Sequence, residues 1–142
     1  MTLPAAALLA PVIALVLWTH VMWLWMYATR IPAMKQQNLV LDPTVPPKDL
    51  MARLPAAVRW KADNYNHLFE APTLFYAVAI SLAVLGDSSA LSQTLAWAYV
   101  GLRVVHSLWQ SLVNVIVARF ALFALSSLVL IALTVRAAQQ VF

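Results

Sequence analysis

One arginine and a series of polar side chains lie inside a stretch of sequence that is otherwise apolar. Arg103 begins this polar stripe within residues 91–117, and its other members follow at helical spacing: His106, Ser107, Gln110 and Asn114. A charge at the centre of a membrane helix costs about 2.5–3.5 kcal/mol on insertion scales, so such a side chain usually faces the protein interior. A cation held there suits an anionic ligand, and it stabilises a thiolate or a developing oxyanion.

A second polar stripe leads into another apolar run. Its members fall at offsets of 0, 4, 7 and 11 residues and therefore share one helix face: Arg59, Asp63, Asn66 and Glu70. His67 lies at the edge of this stripe. Two polar stripes in lipid must face each other, another subunit or a water-filled cavity. We therefore expect a polar chamber containing Glu70 and Arg103, and a simple internal ion pair between them is the structural alternative.

The remaining sequence excludes several other kinds of site. The chain has no cysteine, so disulfides, thiolate metal sites and a cysteine nucleophile are excluded. Its three histidines, His20, His67 and His106, fall in different segments, and no metal site is predicted. The sequence also lacks a glycine-rich phosphate loop, paired carboxylates and a Ser-His-Asp set.

Composition predicts an all-α integral membrane protein. Apolar residues make up 63% of the chain and charged residues 10%, against roughly 25% charged in soluble proteins. A membrane-spanning helix needs about 20 mostly apolar residues, and four segments are predicted to span: 3–29, 58–85, 91–117 and 119–136. Proline-rich residues 30–57 form the loop between the first two spans. We predict one domain, residues 1–142, folded as an up-down four-helix bundle.

The distribution of basic residues predicts the orientation of the bundle. Six of the nine lysines and arginines lie between residues 30 and 61, so the positive-inside rule places this loop and the Arg119 end in the cytoplasm. Both termini are then non-cytoplasmic, and a bacterial inner membrane is the expected location. The net charge of +4 is attributed to this loop facing anionic lipid, and nucleic acid is not expected as a partner.

Two motifs carry a family resemblance that extends over essentially the whole chain. The segment from Asn64 to Phe75, NYNHLFEAPTLF, resembles the second-helix signature of the membrane-associated proteins in eicosanoid and glutathione metabolism, the MAPEG family. That signature is an Asn-x-x-Glu element followed by Pro and Phe. Arg103-Val-Val-His106, with the later Arg119, is similar to the family's Arg-x-x-His and its following Arg.

The resemblance implies a homotrimer that binds glutathione between neighbouring subunits, toward the cytoplasm. It assigns a catalytic role to Arg119, which stabilises the glutathione thiolate. By position, the implied cofactor-binding residues are these: Arg59, His67, Glu70, Arg103, His106 and Gln110. The chain departs from the family pattern at His67, which replaces the usual Asn, and at Gln110, where several catalytic members carry Tyr.

Three functions remain open at this level. The first is a glutathione transferase or peroxidase acting on apolar electrophiles or lipid hydroperoxides. The second is a non-catalytic protein of the same fold that binds lipids or acts as a scaffold, which the replacement at Gln110 favours. The third is an accessory subunit of a larger membrane complex. In each case the expected partners are the bilayer, further copies of the chain and an apolar or lipid-like ligand.

Overall fold

The computed structural model describes residues 6–142, and these residues contain helices and no strands. Helices hold 81% of the described residues, so the prediction of an all-α fold is confirmed. In chain order the helices are α1 (Ala6–Gln36), α2 (Pro47–Met51), α3 (Ala56–His67), α4 (Ala71–Val84), α5 (Ala90–Leu112) and α6 (Ile116–Val141). The start of the first predicted span, residues 3–5, lies outside the described residues.

Three helical segments of the described chain are long and apolar enough to cross a membrane. They are Ala6–Gln36, Ala56–Val84 and Ile116–Val141, of which the second joins α3 and α4. The helix α5 has 23 residues and is about 35 Å long, which also exceeds the hydrocarbon thickness of roughly 30 Å. Because of its polar stripe, α5 is not among the three segments apolar enough to span, so the four-span bundle stays a prediction.

The apolar core forms where α1 packs against α3, α4 and α5, and where α6 packs against α4 and α5. Leu15 and Met22 of α1 are fully buried there. Between α4 and α5, the rings of Phe75 and Tyr99 stack with centroids 4.6 Å apart. Lipid tails are as apolar as these side chains, so close packing rather than removal from water stabilises this core.

The second predicted span is interrupted rather than continuous. α3 ends at His67 and α4 begins at Ala71, because Pro72 has no backbone N–H to donate to the Leu68 carbonyl and its ring would clash with that carbonyl in a continuous helix. The Glu70 carbonyl accepts hydrogen bonds from both the hydroxyl of Thr73, at 2.6 Å, and its backbone N–H, at 3.1 Å, which holds the turn against the start of α4. Glu70 is thereby placed in a non-helical turn, three residues after His67, which ends α3.

The third and fourth spans meet at a turn of three residues. α5 ends at Leu112 instead of continuing to residue 117, and α6 starts at Ile116. Asn114 adopts φ +53° in this turn, a left-handed conformation that asparagine tolerates better than most residues. Arg119 consequently lies in the first turn of α6.

Asp87 links the C-terminal end of α4, the N-terminal end of α5 and the C-terminal end of α6. Its carboxylate accepts hydrogen bonds from the Ser89 backbone N–H at 2.8 Å, the Ser92 hydroxyl at 2.6 Å and the Gln140 amide at 2.9 Å. Arg136 lies 3.9 Å from the same carboxylate. Burial opposes ionisation of Asp87, but these hydrogen bonds outweigh it and lower its pKa to about 2.

Candidate functional site

A cavity of about 270 Å³ lies where the α3–α4 break faces α5 and the start of α6. Its polar lining comes from five side chains: His67, Glu70, Arg103, His106 and Arg119. Its apolar lining comes from four more: Ala71, Ile116, Phe120 and Phe123. All five polar residues belong to the set singled out from the sequence, so the fold brings them together in one place.

Arg103 is a buried cation without a carboxylate partner in the described chain. Its residue is 2% exposed, its Nε donates to the Tyr99 hydroxyl at 3.1 Å, and its Nη2 is buried without a hydrogen-bond partner. The guanidinium lies 5.3 Å from the ring centroids of both Tyr99 and Phe123. These aromatic faces stabilise the charge only in part. A buried, incompletely paired cation is costly, so the cavity beside it favours an anion.

Arg119 supplies a second cation, held at a fixed position. Its Nη1 donates a 2.8 Å hydrogen bond to Oδ1 of Asn114, the residue in left-handed conformation at the α5–α6 turn. A cation in the first turn of a helix opposes the helix dipole, and the first turn of α6 contains no acidic residue to offset it. An anion bound in the cavity would be attracted both by Arg119 and by the positive end of α6.

Glu70 pairs with His67 and not with Arg103. His67 Nδ1 and Glu70 Oε2 are 2.9 Å apart, and the two side chains are 41% and 64% exposed. The ion pair between Glu70 and Arg103 considered as a structural alternative is therefore absent from the described residues. Arg103 remains available to a ligand, and the Glu70 carboxylate at the mouth can accept hydrogen bonds from a cationic or amide group.

Two of the sequence-selected residues do not line this cavity. Gln110 is 1% exposed and neither of its amide atoms has a hydrogen-bond partner in the described chain. Arg59 lines a different cavity, next to Arg30. A contact of either residue with a ligand held between subunits stays a prediction.

A buried polar seam runs between α3 and α5 behind the cavity. The Ser107 hydroxyl donates to Asn64 Oδ1 at 2.9 Å, and Lys61 Nζ donates to the Ala57 carbonyl at 2.9 Å. The same Nζ lies 3.5 Å from the Ser111 carbonyl and 5.1 Å from the centre of a Trp25 ring. These contacts join α3 to α5 through buried polar groups.

The sequence reasoning missed the aromatic residues around Arg103. Tyr99 precedes Arg103 by four residues, the spacing at which two helical side chains meet, so its contact was readable from the sequence. Phe123 had no such signal, because its approach to Arg103 depends on how α6 packs against α5.

These features define a helical membrane protein with a cationic cavity beside an interrupted helix. The MAPEG family model matches residues 8–139 of the 142-residue chain. The chain therefore belongs to the MAPEG family, which confirms the resemblance seen in its motifs. Neither a curated protein nor a solved structure matches the chain.

Proposed function

We propose that this protein is a glutathione-dependent transferase or peroxidase that acts on apolar electrophiles or lipid hydroperoxides. The observation that carries the proposal is the convergence of Arg103 and Arg119 on one cavity that also contains Glu70. Membership of the MAPEG family supports a glutathione-type ligand. The buried Nη2 of Arg103, without a partner in the described chain, fits an anionic group of that ligand.

The residues of the cavity divide into groups that hold a peptide and a group that acts on its thiol. Arg103 would bind a carboxylate of glutathione, and the Glu70–His67 pair would bind its amino or amide end. Bound glutathione would supply a thiol sulfur as the nucleophile. Arg119, oriented by Asn114, would stabilise the thiolate form. A two-unit reduction of a thiol pKa near 8.5 corresponds to about 2.7 kcal/mol, within reach of one arginine in a poorly hydrated site.

The apolar part of the cavity supports an apolar second substrate. Phe120 and Ile116 are 67% and 70% exposed at the start of α6, beside the two cations. A membrane-dissolved electrophile could approach across these side chains without leaving lipid. The electrophile would then meet the glutathione sulfur next to Arg119, where the charge on the sulfur changes during the reaction.

We further propose a homotrimer of four-span subunits. Asp63, Asn66 and Glu70 are exposed on the single chain although they lie in a segment apolar enough to span a membrane. Polar groups at that depth need protein or water as neighbours. The 270 Å³ cavity is also smaller than typical ligand sites, which measure roughly 300–1,000 Å³, so a neighbouring subunit would complete it. Crosslinking or native mass spectrometry in detergent tests the assembly, and a clean monomer would contradict the shared site.

The thiolate role of Arg119 is tested by comparing two variants with a matched control. Arg119→Lys retains the charge but not the planar set of donors, so we expect glutathione to bind while its ultraviolet thiolate absorbance falls strongly. Arg103→Leu is expected to weaken glutathione binding itself, measured by calorimetry. Arg53→Lys, at an exposed arginine outside the cavity, is the control and should change neither signal.

The competing proposal is a non-catalytic lipid-binding protein, a scaffold or an accessory subunit of the same fold. A second cavity of about 340 Å³ favours lipid binding, because the aromatic side chains of Trp23, Tyr65 and Tyr76 line it between α1 and the α3–α4 segment. Wild-type protein that binds no glutathione at millimolar concentration would contradict the enzyme proposal. In that case we expect the protein to bind lipid and to form no glutathione thiolate.

A further inference from the structure

A groove of about 430 Å³ lies between the last turns of α1 and the loop that follows them. Its lining consists of six residues: Ile31, Met34, Lys35, Asn38, Leu39 and Leu41. None of them lines the cavity around Arg103, and none belongs to the residues assigned above to glutathione or to the contact between subunits. What covers this groove is therefore independent of the activity proposed above.

The groove forms because the chain reverses its direction at Asn38. The Leu39 N–H donates a hydrogen bond to the Met34 carbonyl at 3.0 Å. The Asn38 N–H donates to the Lys35 carbonyl at 3.1 Å. Together with φ +49° at Asn38, these two bonds form a Schellman motif, a common left-handed ending of a helix. The loop consequently folds back along α1, which brings Leu41 beside the last turns of the helix.

Two apolar residues after this reversal lie outside the small core of the loop. Val40 and Leu41 are 75% and 65% exposed. Leu50 of α2 and Leu54 in the turn after it are buried, so the loop is packed around other leucines. Contiguous exposed apolar side chains mark a surface that contacts protein or membrane.

The groove continues the outward face of α1. Leu17, Leu24 and Ile31 recur every seven residues, so they share one helix face, and all three are exposed. That face lies opposite the one on which Leu15 and Met22 are buried in the core. Because α1 is apolar enough to span a membrane, its outward apolar face is suited to lipid, and Ile31 extends this face into the groove.

The residues around the start of the groove place it at the membrane–water boundary. Trp23 and Tyr27 are exposed and form an edge-to-face pair with centroids 5.5 Å apart, and such rings concentrate at this boundary. Arg30 is the first basic or acidic residue of the chain apart from His20. The groove starts at the next residue, Ile31, and is therefore level with the lipid headgroups rather than with bulk water.

We propose that residues 39–41 insert into the lipid surface around the protein, at the boundary between headgroups and acyl chains. Val40 and Leu41 enter the apolar side of this boundary, and the exposed Lys35 beside them is attracted to anionic headgroups. Asp42 ends the inserted segment, since its carboxylate accepts hydrogen bonds from the N–H and the hydroxyl of Thr44 at 2.8 and 2.6 Å on the polar side. Lipid is favoured over a second copy of the chain because the patch continues the apolar outward face of α1.

Spin-label accessibility in vesicles tests the proposal. The chain has no cysteine, so Val40→Cys and Thr44→Cys can each carry one nitroxide on the full chain, reconstituted into vesicles of phosphatidylcholine and phosphatidylglycerol. We expect the label of Val40→Cys to collide with dissolved oxygen more than with a water-soluble nickel chelate, at a depth of about 5–10 Å. The matched control, Thr44→Cys, labels an exposed residue beyond Asp42 and should show the opposite preference.

The two collision rates distinguish lipid from water and from protein as the covering of the groove. A preference of the Val40→Cys label for the nickel chelate, equal to that of Thr44→Cys, would show water there and overturn the proposal. Low collision rates with both reagents would show a protein covering, such as a second copy, and would also overturn it. Leu17→Cys, on the outward face of α1, gives the oxygen preference of a lipid-facing label and confirms that the protein is inserted.

Discussion

Replacing Asp87 by Asn should destabilise the protein in a manner that depends on pH. Asparagine keeps one acceptor oxygen for the Ser89 N–H, but it loses the acceptor used by the Gln140 amide and the attraction of Arg136. Hydrogen bonds to charged groups contribute about 1.5–3 kcal/mol each, and the Ser92 hydroxyl can reorient to keep its own bond. We therefore expect Asp87→Asn to lose about 1.5–3 kcal/mol at neutral pH.

The direction of the pH dependence follows from the lowered pKa of Asp87. A carboxylate with a pKa of about 2 in the folded protein, against 3.8 ordinarily, stabilises the fold fully above pH of about 4. This contribution is lost as the pH falls toward 2, because the folded and unfolded states then both bind the proton. Thermal unfolding in detergent micelles, followed by circular dichroism, measures the gap between the two proteins.

The gap between wild type and Asp87→Asn should close in acid. Asp49→Asn, at an exposed aspartate of α2, serves as the control and should leave stability nearly unchanged at every pH. Equal stability of Asp87→Asn and wild type at pH 7, or a gap that persists unchanged at pH 2.5, would refute the role given to the carboxylate.

Three further predictions follow from individual residues. Asn64→Leu and Ser107→Ala should each lower the free energy of unfolding by about 1 kcal/mol, because both remove the same hydrogen bond. A double-mutant cycle should therefore show that the two losses overlap, and additive losses would contradict the bond. Asn114→Ala should destabilise the α5–α6 turn by about 1 kcal/mol in unfolding assays, and Asn114→Gly by less, because φ is +53° there; the reverse order would contradict the left-handed turn. Single cysteines at Gln37 and Ser88 should label from opposite sides of the membrane, with Gln37 cytoplasmic, and labelling from one side would refute the topology.

Helical periodicity selected Arg103, His106 and Glu70 of the polar lining, whereas the role of Arg119 came from the family resemblance. Arg103 and His106 are three residues apart on α5, and Arg119 follows after a short turn, so their approach required only the correct helix assignment. Periodicity fixes the face of a helix but not how far a cavity extends along its axis. Gln110 shares the face of Arg103, yet it lies about 10 Å further along α5 and outside the cavity.

The partner of Glu70 could not be obtained from the sequence. Opposite charge favours Arg103, but the break before Pro72 turns the Glu70 side chain toward His67, three residues earlier. Arg59 was assigned to the same chamber from the shared stripe, although it precedes Glu70 by 11 residues and thus about 16 Å of helix. The partner of Glu70 depends on the geometry of the backbone interruption, which the sequence locates without giving its orientation, whereas the position of Arg59 follows from its distance along α3.

The interruption at residues 68–70 also separates the rotational phase of α3 from that of α4. In a continuous helix, each inserted or deleted residue would turn everything beyond it by about 100°. Here α3 directs Asn64 toward α5, whereas α4 directs Phe75 toward Tyr99, and the non-helical residues between them absorb the angular difference. The two halves of this segment can therefore change independently during evolution, so that the polar half can acquire new ligand specificity while the apolar half keeps its packing.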